Sequence, residues 1–213
     1  MVIERSHIFD EVSSLCKESD SIVIPIPLNH RAHPSNYNLS GIYIFLLNNM
    51  QKYYIPINHS EALINFEFGK IHSLINNMGD IYVIDSKEFK HIFGSVDVHD
   101  CNALSYHIYG KPLEKLTTSA HEQVYSTHWK RENLNGIVPI LKHLEYCDNM
   151  STSMIDVIDN SVISSKAYQK FNETLLNNLF EIERSGLNTT EGLKNCYYNP
   201  YTLTGRPSNK FNK

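Results

Sequence analysis

The chain has 213 residues, of which 41% are hydrophobic and 20% are charged, and its formal net charge is −4. This composition excludes an intrinsically disordered chain. It also argues against a protein that coats nucleic acid with its whole surface, because that role needs a surplus of Lys and Arg to displace counterions. No apolar run reaches the ~18 residues of a membrane span, and the N-terminus lacks the apolar core of a signal peptide. We therefore expect a globular protein with no membrane partner, in which a local basic strip is still possible.

The cysteines of the chain are Cys16, Cys101, Cys147 and Cys196. They are widely spaced and form no Cys-x-x-Cys pair, which argues against a zinc site or a redox motif. We expect four reduced and mostly buried thiols in a cytoplasmic protein.

Helices and strands alternate along the first two thirds of the chain. Pro25 and Pro27 limit the first strand to one edge or end of a sheet, because proline cannot donate a ladder hydrogen bond. The fourth strand is apolar on both faces and is expected to be central. Gly94 and Gly110 each end a helix. The predicted elements, in chain order, are a helix over 7–19, a strand over 21–27, a loop over 28–38, strands over 39–49 and 52–59, a helix over 66–77, a strand over 80–85, a helix over 86–94, a short strand with a helix over 96–110, and helices over 136–147 and 164–186.

This order predicts an α/β fold with a mixed sheet flanked by helices. Three strands form an antiparallel meander, and the next strands follow in parallel through helical crossovers, which is the order of the ribonuclease-H-like fold. The pattern of apolar and polar residues in the sequence changes after Met150. From there, apolar residues at helical steps over 164–186 predict a C-terminal helical extension, which a tail follows.

The tail contains the most distinctive motif of the chain. Residues 202–209 have the sequence TLTGRPSN, which resembles the Thr-Gly-Arg-x-Ser motif that opens the palm of family A DNA polymerases. Residues 179–187 have the sequence LFEIERSGL, which resembles the helix before the thumb in the same family. The two segments follow each other in the family's order.

The preceding residues resemble the 3′–5′ exonuclease domain of that family, which has a ribonuclease-H-like (DnaQ-like) fold. The similarity is carried by SGIYIFLLNNMQKYYIPINH at 40–59, IYVIDSKEFKHIFG at 81–94 and HDCNALSYHIYG at 99–110. It implies an exonuclease-like domain over 1–150, a helical linker and pre-thumb helix over 151–187, and a truncated tail that leads into the palm over 188–213. It also implies the N-terminal portion of a phage-type polymerase, which acts in DNA replication in the cytoplasm of a bacterial host.

The carboxylates of that family's nuclease site are missing from the matching positions. The chemistry uses two divalent metals held by about four carboxylates. The first strand has Ile24-Pro25-Ile26 where the family has an Asp-x-Glu pair. The second motif has Phe89, next to Glu88, where the family has an Asp. We expect Ile24 and Ile26 to be buried in the sheet.

The last nuclease motif of the family, Tyr-x-x-x-Asp, is also broken. Its nearest match is the pair Tyr146 and Asp148, which stand two residues apart and therefore do not share a helical face. A hard cation needs its oxygen ligands placed together. We infer a degenerate exonuclease domain with no catalytic and no metal-binding residues, and a chain that alone has neither polymerase nor exonuclease activity.

Asp85 follows the fourth strand, at a position from which a carboxylate could reach a metal. The alternative is that it caps the helix over 86–94, with Ser86 as a competing cap. We favour the N-cap.

A second metal hypothesis concerns the loop over 28–38. His30 and His33 would need a third ligand from elsewhere in the chain. The alternatives are a loop whose side chains bond backbone carbonyls, or one in which Arg31 contacts a phosphate or a partner's acid. The candidate third ligands are Asp97, His99 and Asp100.

The resemblance assigns the DNA contacts to the tail. Arg206 matches the Arg that contacts the sugar–phosphate backbone of the primer–template duplex, and a guanidinium can pair phosphate oxygens bidentately. Thr204, Ser208 and Asn209 supply neutral donors, which position DNA without recognising bases. In the isolated chain we expect the tail to be mobile or folded back on its own domain.

The catalytic palm and the fingers follow this motif in the family, whereas the chain ends at Lys213. The implied partners are therefore the palm–fingers part of the polymerase, in the same gene or as a separate polypeptide, and primer–template DNA. No cofactor is expected for this chain, and Mg²⁺ is expected only in the complete polymerase. The alternatives are an active metal-dependent exonuclease and a stand-alone accessory protein of the replisome.

Overall fold

A computed structural model describes residues 1–27, 36–110, 113 and 140–161, together with two strands at 196–199 and 208–211. It has the predicted α/β class, with a mixed, open, five-stranded sheet flanked by helices. Among the described residues, no helix is long and apolar enough to cross a membrane. In chain order the elements are α1 (Ser6–Lys17), β1 (Ser21–Pro27), β2 (Leu39–Leu46), β3 (Gln51–Pro56), α2 (Phe68–Ile75), β4 (Ile81–Val83), α3 (Ser86–Phe93), β5 (His99–Asp100), α4 (Cys101–Tyr109), α5 (Ile140–Asn160), β6 (Cys196–Asn199) and β7 (Ser208–Phe211).

The large sheet has the strand order β3-β2-β1-β4-β5. Strands β1, β2 and β3 form an antiparallel meander, and β4 and β5 run parallel to β1. The carboxyl ends of β1, β4 and β5 therefore meet at one edge of the sheet. In open α/β sheets this edge is where ligands commonly bind.

Strand β1 is the central strand, so the first of the two predicted alternatives, an edge of the sheet, is not the one observed. The second alternative is observed, because Pro25 and Pro27 lie toward the C-terminal end of the strand. The pairing explains why they are tolerated, because β4 pairs only with Ser21 and Ile22. Beyond Ile22 the β4 side of β1 makes no ladder bonds, and Pro25 and Pro27 need to pair with β2 alone.

Two cores lie on opposite faces of the sheet, because side chains alternate along each strand. Val23 of β1 belongs to the core that α1, α2 and α3 cover, whereas its neighbours Ile22 and Ile24 belong to the core beneath α4 and α5. The same alternation continues in β2, β3 and β4. The sheet is therefore buried on both faces, which explains its nearly continuous apolar strands.

Helix α5 differs most from its prediction. It spans Ile140–Asn160, whereas the sequence predicted a helix over 136–147. Cys147, Met150, Met154 and Val157 continue the helical spacing and are all buried against the sheet. The helix thus passes through position 150, where the sequence analysis placed a domain boundary, and that division stays a prediction. The predicted helix over 164–186 lies outside the described residues.

The outer edge of β3 is covered by two other segments of the chain. The Ile3 amide donates to the Tyr54 carbonyl at 2.8 Å, and the Tyr54 amide donates to the Met1 carbonyl at 2.9 Å. Further along, the Phe66 amide donates to the Pro56 carbonyl at 2.8 Å. These bonds satisfy backbone groups that would otherwise offer another chain a strand to pair with.

Candidate functional site

The position that the resemblance aligns with the first nuclease motif is apolar and buried. Ile24 and Ile26 are each 2% exposed, so their predicted burial is confirmed. They lie in the core that includes Cys147 and Met150 of α5. Aliphatic side chains offer no oxygen ligand to a hard cation, and their packing fills the space that hydrated metal ions would need.

The position of the second motif lies elsewhere in the fold. Phe89 is 1% exposed and belongs to the core on the other face of the sheet, where its ring is 4.6 Å from that of Phe93. The structure therefore does not bring Phe89 together with Ile24 and Ile26. A carboxylate at position 89 would point into an apolar core, so the match at this position does not belong to a shared site.

Asp148 connects α5 to the antiparallel half of the sheet. The Tyr43 hydroxyl donates to Asp148 Oδ1 at 2.6 Å, and Lys52 Nζ lies 3.1 Å from the same oxygen. Burial and the hydrogen bond to Asp148 raise the pKa of Tyr43. Tyr43 is directly opposite Ile24 in the β1–β2 pairing. The sequence indicates Asp148 only as a displaced match to a metal ligand, because its contacts with Tyr43 and Lys52 span about a hundred residues and leave no local signal.

Asp85 caps α3, as the sequence analysis favoured. Its backbone is extended, and its Oδ1 accepts a hydrogen bond from the Glu88 amide at 2.9 Å. This satisfies one of the amides that the first turn of a helix leaves without an intrahelical acceptor. Ser86 is therefore the first residue of the helix and not its cap.

Asp100 is the most unusual polar residue of the fold. It is 1% exposed, and it caps α4 by accepting from the Ala103 amide at 2.8 Å. Its second oxygen accepts from Ser86, from the amide at 2.9 Å and from the hydroxyl at 2.8 Å. One carboxylate thus joins the ends of β5, α3 and α4. Burial and the nearby charge of Asp85 raise the pKa of Asp100 to about 7, although the hydrogen bonds from Ser86 and Ala103 oppose this shift.

In the sequence, Asp100 is a candidate only for the third metal ligand. The signal for its real role was local, since Asp100 precedes a helical segment at an N-cap position. The bonds from Ser86 could not be found in this way, because they depend on the parallel pairing of β4 with β5. The carboxylate stabilises the carboxyl edge of the sheet, where Asp85 also lies.

The second metal hypothesis finds no support among the described residues. His99 Nε2 lies 3.9 Å from Asp80, and its ring stacks on Tyr82 with centroids 4.9 Å apart. Burial lowers the pKa of His99, and the nearby carboxylates oppose that shift. Asp97 is exposed, and no group of three or more His, Cys, Asp or Glu side chains in the described ranges is arranged to hold a metal. His30, Arg31 and His33 lie outside the described residues.

The tail contains a pair of strands that the sequence analysis did not predict. β6 and β7 are antiparallel, with Asn199 opposite Ser208 and Tyr198 opposite Asn209. Two of the four predicted DNA-binding residues, Ser208 and Asn209, are therefore consecutive residues of β7. The other two, Thr204 and Arg206, lie between the strands and outside the described residues.

The chain was compared with models of protein families and with curated proteins. No protein-family model matches the chain, and no curated protein matches it.

Proposed function

We propose that the chain is the N-terminal portion of a family A DNA polymerase and acts in DNA replication. In this proposal residues 1–150 form a ribonuclease-H-like exonuclease domain that has lost its nuclease chemistry. The domain then has a structural role, or it binds DNA or a partner. The observation that carries the proposal is the pair Ile24 and Ile26, each 2% exposed in the central strand, where the nuclease family needs carboxylates.

The strand order supports the ribonuclease-H-like assignment. A three-stranded antiparallel meander followed by two parallel strands is the arrangement expected from the sequence pattern, and the sheet has the order β3-β2-β1-β4-β5. Sequential strands connected in this way restrict the chain to few alternative topologies. The order supports a fold and not an activity, because one fold hosts many functions.

The packing around β1 supports the loss of nuclease chemistry. Two-metal catalysis requires carboxylates that hold both ions beside the scissile phosphate. In the described part of α5, Cys147 and Met150 instead belong to the same apolar core as Ile24 and Ile26. The helix's carboxylate at Asp148 accepts a hydrogen bond from the Tyr43 hydroxyl. The element that would contribute the last metal ligand therefore closes the site.

The tail motif supports a role in a polymerase. Arg206 would contact a phosphate of the primer–template duplex, and Thr204, Ser208 and Asn209 would position the same backbone. The palm–fingers part of the polymerase would supply the catalytic carboxylates and the Mg²⁺. This chain would complete the DNA-binding surface of that partner.

A reconstitution experiment tests this proposal. The chain is mixed with the palm–fingers polypeptide encoded next to it, or expressed in one polypeptide with it if the two share a gene, and primer extension is measured. Arg206→Ala should weaken primer–template binding by ~1–3 kcal/mol, the scale of a charge-assisted hydrogen bond. Extension at limiting DNA should fall accordingly.

The matched control is Arg5→Ala. Arg5 is exposed at the N-terminus of α1 and makes no side-chain cap hydrogen bond there. This change removes the same charge from the body of the chain and should leave extension unaltered. Equal extension by wild type and Arg206→Ala, with equal DNA affinity, would show that the Thr-Gly-Arg match is coincidental.

A further inference from the structure

Exposed apolar side chains are concentrated in the segment that joins β3 to α2. Leu63 is 82% exposed, more than any other large hydrophobic side chain of the described residues, and Ile64 and Phe68 are exposed as well. Five chain steps separate Leu63 from Phe68, so the three residues lie within about 18 Å of one another. Single exposed hydrophobics are ordinary on protein surfaces, whereas a group of them commonly marks an interaction site. We call Leu63, Ile64 and Phe68 the apolar patch.

The loop that carries Leu63 is closed by its own hydrogen bonds. The His59 amide donates to Asn65 Oδ1 at 2.8 Å, and Asn65 Nδ2 donates to the His59 carbonyl at 3.1 Å. The Ala62 amide donates to the same carbonyl at 3.2 Å. His59 and Phe66 are both buried, so each end of the loop is fixed to the body of the fold. Leu63 lies between these two fixed points.

Phe68 is supported by a second aromatic residue. Its ring stacks on Phe93 of α3, with the centroids 5.7 Å apart and the ring planes inclined by 13°. Phe93 is fully buried, so Phe68 rests on the core while its own side chain remains exposed. A side chain that is already ordered loses less conformational entropy when it binds a partner. The patch is therefore prepared for binding before a partner arrives.

The charges beside the patch limit what can cover it. Glu61 and Glu67 are exposed on either side of Leu63 in the sequence, and no Lys or Arg lies between Lys52 and Lys70. These carboxylates repel the phosphates of a nucleic acid or of an anionic membrane. A second copy of the chain, seated on the same patch, would bring the same carboxylates against each other. Charge complementarity therefore favours a basic partner.

We propose that the apolar patch docks into an apolar groove of another protein, and that the rim of this groove carries Lys or Arg. Leu63 enters the groove, with Ile64 and Phe68 beside it. Glu61 and Glu67 face the cations of the rim. An apolar centre within a polar rim is the common arrangement of protein–protein interfaces. The proposal is independent of the proposed function, because it uses no residue of the nuclease positions or of the tail.

A site-specific photocrosslinker identifies the occupant. p-Benzoylphenylalanine replaces Leu63 in the full chain, which is expressed in the cells that naturally contain it, and crosslinked products are identified by mass spectrometry. The same replacement of Met50 is the matched control, because Met50 is also exposed and lies at the opposite end of β3. We expect position 63, and not position 50, to crosslink to one protein, through a peptide with apolar residues and Lys or Arg.

The affinity of the chain for this protein is then measured by calorimetry with both components purified. Leu63→Ser should weaken binding by about tenfold or more, the scale of a central interface residue, whereas Met50→Ser should leave it within about twofold of wild type. Glu67→Lys should weaken binding several-fold at low salt and less at high salt, because salt screens charges at the rim. Glu18→Lys is the charge-matched control, since Glu18 is exposed at the end of α1. Circular dichroism verifies that each variant is folded.

The results distinguish the possible occupants. No crosslink from position 63, or equal crosslinking from positions 63 and 50, overturns the proposal. Crosslinks to a second copy, to another segment of the same chain, to nucleic acid or to lipid overturn it in favour of that occupant. A crosslinked protein that binds Leu63→Ser as tightly as wild type is an incidental neighbour, and tighter binding by Glu67→Lys contradicts the basic rim. Each of these failures leaves the proposed function standing, because primer extension tests that separately.

Discussion

Asp100 shows how one side chain determines the local structure at the carboxyl edge of the sheet. Its two oxygens accept three hydrogen bonds from Ser86 and Ala103, and it is 1% exposed. An ionised carboxylate at this depth is costly, and the neighbouring charge of Asp85 increases that cost. The hydrogen bonds compensate for part of it.

This arrangement predicts a pH dependence of stability. The pKa of Asp100 is about 7 in the folded chain, against an ordinary value of 3.8. Between those values the native state binds more protons than the unfolded state, so the free energy of unfolding should fall as pH rises from 4 to 7 and then level off. The contribution from Asp100 should be on the order of a few kcal/mol. Urea unfolding at a series of pH values measures it.

Asp100→Asn is the variant that isolates this effect. The amide cannot ionise, so the pH-dependent fall should largely disappear, on top of a constant loss from the missing acceptor. Asp97→Asn is the control, because Asp97 is an exposed carboxylate three residues before Asp100. Identical pH profiles for wild type and Asp100→Asn would refute the assignment of the titration to Asp100.

At the scale of elements, α5 is the helix that covers the position where the resemblance places the first nuclease motif. It packs apolar residues over Ile24 and Ile26 and is fastened to β2 by the hydrogen bond from Tyr43 to Asp148, at 2.6 Å. The same carboxylate also approaches Lys52 of β3, at 3.1 Å. Over its described length the helix therefore contacts the sheet both through apolar packing and through the Asp148 carboxylate.

Removing the Tyr43 hydroxyl should weaken the attachment of α5 to the sheet and so lower the stability of the fold. Tyr43→Phe should lower the free energy of unfolding by about 1.5–3 kcal/mol, because Tyr43 is buried and its hydrogen bond is to a charged group. Tyr109→Phe is the matched control, since Tyr109 is exposed and donates to Asp156 of the same helix at 3.1 Å. The control should have a much smaller effect. Denaturant unfolding of the two variants gives the comparison, and equal losses would contradict the role assigned to Tyr43.

Local patterns in the sequence predicted the larger elements of the fold well. The apolar strands, the glycine-ended helices and the N-cap at Asp85 all follow from spacing and composition within a few residues. The central position of β1 could not be predicted in this way. Proline is excluded only where a strand must donate a ladder hydrogen bond, and β4 pairs with β1 only at Ser21 and Ile22, before the prolines. The full length of α5 was missed because polar residues dilute its continuing apolar spacing after Met150.

The candidate site was harder to predict than the fold. The burial of Ile24 and Ile26 followed from their composition, but the separation of Phe89 onto the other face depends on how α3 packs. The bonds to Asp100 and Asp148 join residues distant in sequence, and single-sequence patterns hold no information on such pairs. The β6–β7 pair was missed because its strands are only four residues each, and each includes one Asn, a poor strand former.

At the scale of the whole molecule, the chain combines an acidic α/β body with a basic C-terminal segment, residues 192–213. The body has a mixed, open, five-stranded sheet, and an apolar core lies at the position where the proposed nuclease fold would hold metal. The segment contains the Thr-Gly-Arg motif between two paired strands. In our account the body supports the polymerase and the segment contacts its DNA, so the chain binds DNA and does not degrade it.

The most direct test of this account is a degradation assay on 5′-labelled single-stranded and primer–template DNA. The full chain is incubated with each substrate in Mg²⁺ and in Mn²⁺, and product lengths are followed on a denaturing gel. We expect both labelled strands to keep their full length, because β1 supplies Ile24 and Ile26 in place of metal ligands. Metal-dependent shortening from the 3′ end that Asp85→Ala abolishes, while Asp97→Ala retains it and both variants stay folded, would contradict the account.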